Sequence, residues 1–593
     1  MSKVQQTFDK VLTLPKQPNS EEYHSVLVVL LHAYRHTKDQ LASVEDAVCE
    51  YIPQAHVIKP QLPLQMWSTE DLNDVSAGVV ALIDQQVEHR VTAKLPGFNK
   101  IVLVGHSTGS MIARKVYVIA CGETKDAPFK HRDLSAAQKL HKGRHWADRV
   151  DRIIQLSGMN GGWSVSHHMG MRRALEFSLG SIVGYLILSV TKQDLAISQI
   201  RRGATFLTSL RLQWLDLQKK RGAKTAMVVQ LLGTVDDLVS PEDNVDLVSG
   251  RDFMYLDVQF TGHVNIIDMG FSKAANERSK PEAIRREKFH LALTGDPAKI
   301  SKQSLVPFDH HAIVREKDEK FTDVVFVMHG IRDTGFWTHR IARSVQATGK
   351  KCVPEKKYAT ETSTYGYFPM LSFLLPWRRH HKVAWLMDQY ARAKSLYPDA
   401  RFSYVGHSNG TYLLARALQD NPACRFERVV FAGSVVRKDY DWAQAKRNGQ
   451  VGAILNYVAT NDKVVACFPG ALEQLGSQDL GSAGHNGFES SQLPSGSYQV
   501  RFVEGGHGAA VAEKHWDDIA KFICNGDHPE QNITGTQNAS VLFLGRYPLI
   551  LWAAILAVLG AIAFGIWQVP AEWLRTLLLI AYGWAVVKIL TQV

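Results

Sequence analysis

Residues 99–116 read NKIVLVGHSTGSMIARKV, and residues 400–417 read ARFSYVGHSNGTYLLARA. In both stretches an apolar run that favours a β-strand is followed by G-x-S-x-G and then by a helix-forming segment. The flanking glycines permit a sharp turn without a side-chain clash, and such a turn exposes the serine hydroxyl. The two stretches therefore predict the same strand, turn and helix twice, with Ser107 and Ser408 at the turns.

Four further pairs of segments repeat in the same order around these two stretches. They are 24–36 with 321–333, 149–158 with 425–434, 226–239 with 452–465, and 257–265 with 501–509. Apolar strand-like runs that alternate with helical segments are typical of a mostly parallel sheet covered by helices. We therefore expect two tandem α/β domains, residues 1–300 and 301–540, followed by a C-terminal segment 541–593. The polar stretch 296–320, which contains Pro297, is the expected linker.

Each copy also places an aspartate and a histidine after its later strand-like runs. A histidine beside a serine can take the serine proton and return it to a leaving group, while a carboxylate orients the imidazole. The order serine, aspartate, histidine occurs in both copies and predicts two catalytic triads. Their members are Ser107, Asp236 and His263 in the first copy, and Ser408, Asp462 and His507 in the second.

Two other residues compete for these roles. Asp237 is a rival of Asp236, which is preferred because it aligns with Asp462. His485 is a rival of His507, but no strand-like run precedes it.

In these motifs the chain resembles the α/β-hydrolase superfamily, of the serine esterase and lipase type. The resemblance covers both halves of the chain but not the C-terminal segment. It implies that the backbone N–H groups of Thr108 and Asn409, directly after the serines, form half of an oxyanion hole in each copy. The other half would come from backbone near Tyr34 in the first copy and near Ile331 in the second.

The turn that supplies this second half differs between the copies. The family usually has His-Gly there, and the second copy keeps it as His329-Gly330. The first copy has His32-Ala33 instead, so its oxyanion hole departs from the family's pattern.

The first copy contains an insertion, at about residues 159–223, where this superfamily commonly has a lid. It includes the apolar stretch 177–190, which is too short to span a membrane. Basic residues then alternate with apolar ones at helical spacing: Arg201, Arg202, Arg211, Lys219, Lys220 and Arg221. This pattern predicts either a surface that rests on anionic lipid or an amphipathic helix packed over the active site.

The net charge of +11 belongs to this region of the first copy. Residues 130–224 contain 17 Lys and Arg against 6 Asp and Glu, so the rest of the chain is balanced. A charge confined to one window does not indicate a general nucleic-acid-binding protein, and we expect no nucleic-acid partner.

Residues 547–567 (YPLILWAAILAVLGAIAFGIW) form an uncharged run long enough to cross a bilayer as a helix. A second apolar run, 574–590, follows a short polar turn. We expect a transmembrane hairpin, with an interfacial second helix as the alternative. Arg546 and Lys588 would then lie on one side with the large N-terminal portion, which the positive-inside rule makes cytoplasmic.

The sequence thus predicts a membrane-anchored serine hydrolase that cleaves carboxylic esters, with a lipid or other apolar acyl substrate. Amides and thioesters suit the same machinery. No metal or organic cofactor is expected, and the six widely spaced cysteines indicate neither a zinc site nor a disulfide framework. The alternative is a membrane-tethered binding or scaffold protein in which one or both sites are vestigial.

Overall fold

The computed structural model describes ten ranges of the chain and divides it into two compact units, Met1–Glu316 and Lys317–Val593. The described ranges are 25–123, 143–163, 194–235, 253–304, 321–331, 335–366, 368–476, 479–489, 498–527 and 538–592.

The first unit contains a parallel sheet of six described strands. They are β1 (Val26–Leu31), β2 (Ala55–Ile58), β3 (Lys100–His106), β4 (Val150–Leu156), β5 (Met227–Gly233) and β6 (Phe253–Val258). Their order is β2-β1-β3-β4-β5-β6, and all neighbours are parallel. Burial on both faces explains why the inner strands read as continuous apolar runs, such as VLVVLL in β1.

Helices cover both faces of this sheet. Those described are α1 (Ala42–Tyr51), α2 (Leu72–Thr92), α3 (Thr108–Ala120), α4 (Ala196–Gln199), α5 (Thr205–Arg221), α6 (Lys280–Thr294) and α7 (Pro297–Gln303). Successive residues of β1 point to opposite faces and enter two separate apolar clusters. Leu27 and Val29 pack in the cluster that includes residues of α2, α3 and α5, whereas Val28 and Leu30 pack in the one that includes residues of α1 and α6.

The second unit repeats this sheet. Its described strands are β7 (Asp323–Met328), β8 (Tyr358–Glu361), β9 (Arg401–His407), β10 (Phe426–Ala432), β11 (Val451–Ala459) and β12 (Tyr498–Val503). They are parallel and lie in the order β8-β7-β9-β10-β11-β12, which is the order of the first sheet. The structure thus contains two parallel-sheet α/β domains with the same strand order.

The helices described in the second unit fall into two groups by position in the chain. The first group is α8 (Phe336–Cys352), α9 (Met370–Leu374), α10 (Pro376–Leu396), α11 (Asn409–Asp420), α12 (Trp442–Arg447) and α13 (Lys463–Cys467). The second group is α14 (Pro469–Gln474), α15 (Ala483–Asn486), α16 (Trp516–Asn525), α17 (Ala539–Arg546), α18 (Pro548–Trp567) and α19 (Glu572–Gln592).

In each sheet the direction in which strands are added reverses beside the first strand of the copy. From β1 the chain adds β2 on one side and then β3 on the other, and β7, β8 and β9 repeat this pattern. Ligands of open parallel sheets bind beyond the carboxyl ends of the strands at such a reversal. Each serine turn follows the strand on the far side of this reversal, β3 in the first sheet and β9 in the second.

The expected linker begins as a helix of the first unit. Asp296 caps α7, and Pro297 occupies its first turn, where the missing N–H of proline costs nothing. Ile300 is fully buried, and Ser304 Oγ accepts a hydrogen bond from Tyr255 N at 2.9 Å. The prediction of a linker was therefore wrong for these first residues.

The basic helix α5 is packed inside the first unit. Its large apolar side chains are buried except Leu215, which is half-buried; the buried ones are Phe206, Leu207, Leu210, Leu212, Trp214 and Leu217. They are therefore not available to a lipid surface, and the alternative of a packed amphipathic helix describes this segment. The apolar stretch 177–190, predicted as part of the lid, lies outside the described residues.

The helix α18 is the one helix of the described chain that is long and apolar enough to cross a membrane. The next helix, α19, packs against it, and Tyr582 Oη donates a hydrogen bond to the Leu559 carbonyl at 2.9 Å. The two helices are therefore packed together, and of the two only α18 meets the length and composition of a membrane span.

Candidate active site

Both serines of the G-x-S-x-G motifs lie at strained turns between a strand and a helix. Ser107 follows β3 with φ 52°, and Ser408 follows β9 with φ 51°. A residue with a side chain rarely adopts this left-handed conformation, and each instance costs about 1–3 kcal/mol. The surrounding chain holds the turns, because Ser107 N donates to Leu156 O and Ser408 N donates to Ala432 O, each at 3.0 Å.

The last glycine of each motif lets the helix after the serine approach the neighbouring strand. A side-chain carbon at Gly109 would collide with the carbonyl group of Leu31, the last residue of β1. A carbon at Gly410 would lie 2.7 Å from the carbonyl oxygen of Met328, the last residue of β7. The motif is therefore a packing requirement of the fold as well as a turn for the serine.

In the first copy the structure brings the predicted serine and histidine together. Ser107 Oγ and His263 Nε2 are 2.9 Å apart, and both side chains are buried. A hydroxyl at this distance from an imidazole nitrogen can transfer its proton to it.

Asp236, the predicted third member, lies outside the described residues, but the backbone that leads to it is described. Val235 N donates to Thr261 O at 3.0 Å, which ties this segment to the loop that carries His263. In the second copy Asn461 N donates to Gly505 O at 2.9 Å. In each copy the donor is the residue directly before the aspartate, and the acceptor lies two residues before the histidine. The two copies therefore hold the corresponding segments in the same way.

In the second copy the structure brings the predicted aspartate and histidine together. Asp462 Oδ2 and His507 Nδ1 are 2.8 Å apart, and the carboxylate is fully buried. The other carboxylate oxygen accepts a hydrogen bond from Val465 N at 3.0 Å and so caps helix α13. Because the cap fixes the side chain, the carboxylate orients the imidazole.

The competing histidine, His485, is buried in a different environment. Its ring lies against Gly545 of α17, where a side-chain carbon would collide with it. Burial lowers the pKa of His485, and the nearby charge of Asp462 opposes this effect. Asp462 Oδ2 accepts its hydrogen bond from His507 instead.

One pair of residues at the sites was missed by the sequence analysis. His106 Nε2 donates to the carbonyl oxygen of His263 at 2.9 Å, and His407 Nε2 donates to that of His507 at 3.2 Å. The histidine between the first glycine and the serine therefore holds the backbone of the other histidine in both copies. The same histidine occurs in both G-H-S motifs, and this repetition was the signal that could have revealed its role.

In the second copy, the turn that contains His329-Gly330 lies against Ser408. A side-chain carbon at Gly330 would be 2.7 Å from Ser408 Cβ, so only glycine fits there without movement. Tyr365 Oη lies 2.8 Å from the carbonyl oxygens of both His329 and Gly330. Asn409 Nδ2 donates to Tyr365 Oη at 3.1 Å. The tyrosine thus connects the two segments that would supply the oxyanion hole.

The corresponding turn of the first copy is held by a histidine. His32 Nδ1 donates to the Ala33 carbonyl, and His32 Nε2 accepts a hydrogen bond from Leu62 N, both at 2.8 Å. Burial lowers the pKa of His32 to about 4, so this side chain is neutral near pH 7 and keeps both bonds. Ala33 carries a methyl group where the second copy has Gly330, and it is buried. Tyr34 is half-buried.

A further histidine lies close to His263. Burial lowers the pKa of His36, and repulsion from His263 lowers it further. The rings of His36 and His106 are 5.3 Å apart, and those of His106 and His263 are 5.7 Å apart.

Among the described residues no group of three or more His, Cys, Asp or Glu side chains is placed to hold a metal ion.

No family model matches the chain, and none of the curated proteins matches its sequence. Among solved structures the chain is similar to the phospholipase PlaB from Legionella pneumophila, at 14% identity and a TM-score of 0.29, over 47% of this chain and 61% of that one. The match therefore spans less than two thirds of PlaB.

Two further solved structures show a similarity of the same order. One is a fungal esterase from Rhizomucor miehei, at 11% identity and a TM-score of 0.27, over 48% of this chain and 78% of that one. The other is a lipase-esterase related protein from Clostridium acetobutylicum, at 13% identity and a TM-score of 0.25, over 46% of this chain and 96% of that one.

The substitution Gly109→Ala tests the packing role of the motif. The added carbon collides with backbone at the end of β1, so we expect a loss of at least about 2 kcal/mol in the free energy of unfolding. Thermal unfolding of the full chain measures this loss as a lower melting temperature. Gly143→Ala is the control, because its added carbon meets no atom closer than 3.5 Å. Equal melting temperatures for the two variants would contradict this account.

Proposed function

We propose that the chain is a serine hydrolase with two α/β-hydrolase sites that cleave carboxylic esters through an acyl-enzyme. The observation that carries the proposal is the 2.9 Å distance between Ser107 Oγ and His263 Nε2 at a strained strand-to-helix turn. The hydrogen bond between Asp462 and His507 in the second copy supports it, because it is the other half of the same triad.

In the proposed reaction the serine hydroxyl attacks the ester carbonyl carbon while the histidine takes the hydroxyl proton. The histidine then gives that proton to the leaving alcohol, and the acyl group remains on the serine. Water, deprotonated by the same histidine, releases the acid and restores the serine. The aspartate holds the imidazole in the tautomer that accepts the serine proton.

The developing negative charge on the carbonyl oxygen needs hydrogen-bond donors. We assign these to the backbone N–H groups of Thr108 and Tyr34 in the first site, and to those of Asn409 and Ile331 in the second. Thr108 and Asn409 are the first residues of α3 and α11, where backbone N–H groups have no partner within the helix. The helix dipole adds to the stabilisation at the same place.

Asp236 completes the first triad in this proposal. The equivalent backbone bonds of Val235 and Asn461 support it, because in the second copy the residue that follows the bond is the carboxylate that contacts His507. Asp462 is that following residue in the second copy, and Asp236 is its counterpart. Asp237 lies one residue further along the chain.

The apolar helix α18 favours a lipid or another apolar acyl ester as the substrate. We assign α18 as a membrane span and α19 as the second arm of a transmembrane hairpin. Arg546 and Lys588 then lie on the side of the catalytic units, which the positive-inside rule places in the cytoplasm. Amides and thioesters remain substrates for the same groups.

Hydrolysis of p-nitrophenyl esters by serine variants of the full chain tests the proposal. We expect Ser107→Ala and Ser408→Ala each to remove the part of the activity that belongs to its site. The double variant should lose it all, down to about 10⁻³ of the parent or less. If the parent has no activity, or if the double variant keeps the parent's activity, the chain is a membrane-tethered binding protein or acts through other groups.

Asp462→Asn separates the catalytic role of this carboxylate from its structural role. Asparagine is as good a helix cap as aspartate, so helix α13 keeps its cap and the melting temperature should stay near that of the parent. The amide favours the wrong imidazole tautomer, so in a Ser107→Ala background kcat should fall by about 10³-fold or more. Asp462→Ala should lose both activity and stability. An Asp462→Asn variant that keeps a large fraction of the activity would contradict the role of this residue.

A further inference from the structure

Helix α13 connects the second candidate site with the apolar helix α18. Asp462 caps its first turn and holds His507. At its other end, the Cys467 carbonyl accepts a hydrogen bond from Trp552 Nε1 of α18 at 2.9 Å. The helix has five residues, so its length is only about 7.5 Å. The catalytic carboxylate and the apolar helix are therefore about one and a half helical turns apart.

The short helix α17, which leads into α18, packs against the same part of the domain. Asn538 N donates to the Thr460 carbonyl at 3.3 Å, two residues before Asp462. Gln474 Nε2 donates to the Arg546 carbonyl at 3.2 Å, and Val541 is fully buried. Together with the contact between Gly545 and His485, these bonds fix the start of α18 beside the second site.

A row of aromatic side chains extends this contact to the oxyanion turn. We call it the aromatic row, and its members are Trp552, Phe468, Phe373, Phe368 and Tyr365. Successive ring centroids are 5.6, 6.4, 6.5 and 6.2 Å apart. Its last member, Tyr365, hydrogen-bonds the carbonyls of the oxyanion turn. Because packed aromatic rings leave little freedom, the row fixes the distance between the apolar helix and the nucleophile turn.

Large apolar side chains are exposed around this contact. Val464 of α13 is 47% exposed, Leu475 60%, and Leu542 and Phe543 of α17 47% and 58%. The helices that carry or border them, α13, α14 and α17, each contact α18, and Leu549 and Ile550 at the start of α18 are exposed as well. Exposed apolar groups that continue a membrane span along a domain surface are suited to the bilayer interface. We call Val464, Leu475, Leu542 and Phe543 the apolar rim.

The position of Trp552 along α18 indicates how the apolar rim lies relative to the membrane surface. This residue is four positions after Pro548, so the contact with Cys467 lies about 6 Å along α18 from its start. The catalytic domain therefore extends alongside the first turn of the apolar helix. Tryptophan is typical of the membrane–water interface, which places the contact at the level of the lipid headgroups.

We infer that the apolar rim rests on the bilayer and holds the Ser408 site at the membrane surface, so that its substrate is an ester of a membrane lipid. This inference rests on the proposed ester hydrolase function and on α18 as a membrane span. The surface and the site share one short helix, so the inferred placement brings the site close to the lipid headgroups.

Photo-crosslinking tests the placement independently of activity. In the full chain, p-benzoylphenylalanine replaces Val464 in one variant and Glu427 in a control. Glu427 is also exposed but lies at the amino end of β10, the opposite edge of the sheet from the site. In vesicles of phosphatidylethanolamine and phosphatidylglycerol we expect crosslinks to lipid from position 464, at about tenfold or more the yield from position 427. Equal yields, or none from position 464, would overturn the placement.

Kinetics in a Ser107→Ala background test the substrate class. Trp552→Ala removes the contact with Cys467, and Trp567→Ala, at the exposed far end of α18, is the matched control. We expect Trp552→Ala to lower hydrolysis of a long-chain phospholipid in vesicles by about fivefold or more relative to a soluble butyrate ester. Trp567→Ala should leave this ratio unchanged.

The outcomes separate the two proposals. An unchanged ratio in Trp552→Ala, or hydrolysis of the soluble ester alone by the Ser107→Ala parent, would overturn the lipid substrate. Crosslinking from position 464 without hydrolysis of either ester would show that the proposed function fails at this site while the placement at the membrane holds.

Discussion

The close approach of helix α3 to the end of strand β1 is the contact on which the first site depends. It is possible because Gly109 has no side chain to collide with Leu31. The approach forces Ser107 into a left-handed conformation, which places its hydroxyl beside His263 rather than inside the helix. A turn of this kind persists only where the surrounding structure fixes it, and here the sheet on one side and the helix on the other do so. Gly410 and Met328 make the same close approach in the second copy, where Ser408 also has a positive φ of 51°.

The two copies keep this constraint and differ in the residues next to it. Gly433 follows β10 with φ 54° and lies against the ring of His507, where a side-chain carbon would be 2.8 Å from Cε1. Ser157 occupies the equivalent position after β4 with φ 47°. Ala33 likewise stands where the second copy has Gly330. The proposed chemistry is therefore set in two differently shaped sites, and the duplication allows different substrates at each.

The sequence predicted the inner strands well because their burial on both faces produces long apolar runs. It missed β2 and β8, which have four residues each and pair with only one neighbour, so that the sheet rather than the local sequence determines them. Pro297 was taken as part of a linker, although a proline directly after an aspartate is also how a helix begins.

The helix α5 shows a second limit of sequence reasoning. An apolar helix face reads the same in the sequence whether it meets lipid or the interior of a domain, and Trp214 and its neighbours meet the interior. At the sites, the order of serine, aspartate and histidine pointed to two contacts that the structure shows, Ser107 with His263 and Asp462 with His507. The bonds of Tyr365 and Trp552 join segments far apart in the chain, and no local pattern marks such contacts.

The central claim is that the chain contains two serines activated by the same geometry. The most direct measurement is the intact mass of the full chain after reaction with an organophosphonate, followed by peptide mapping. An activated serine forms a stable adduct with this reagent, whereas an ordinary serine does not react. The account predicts two adducts per chain, one at Ser107 and one at Ser408. An unmodified chain, or adducts only at other residues, would contradict it.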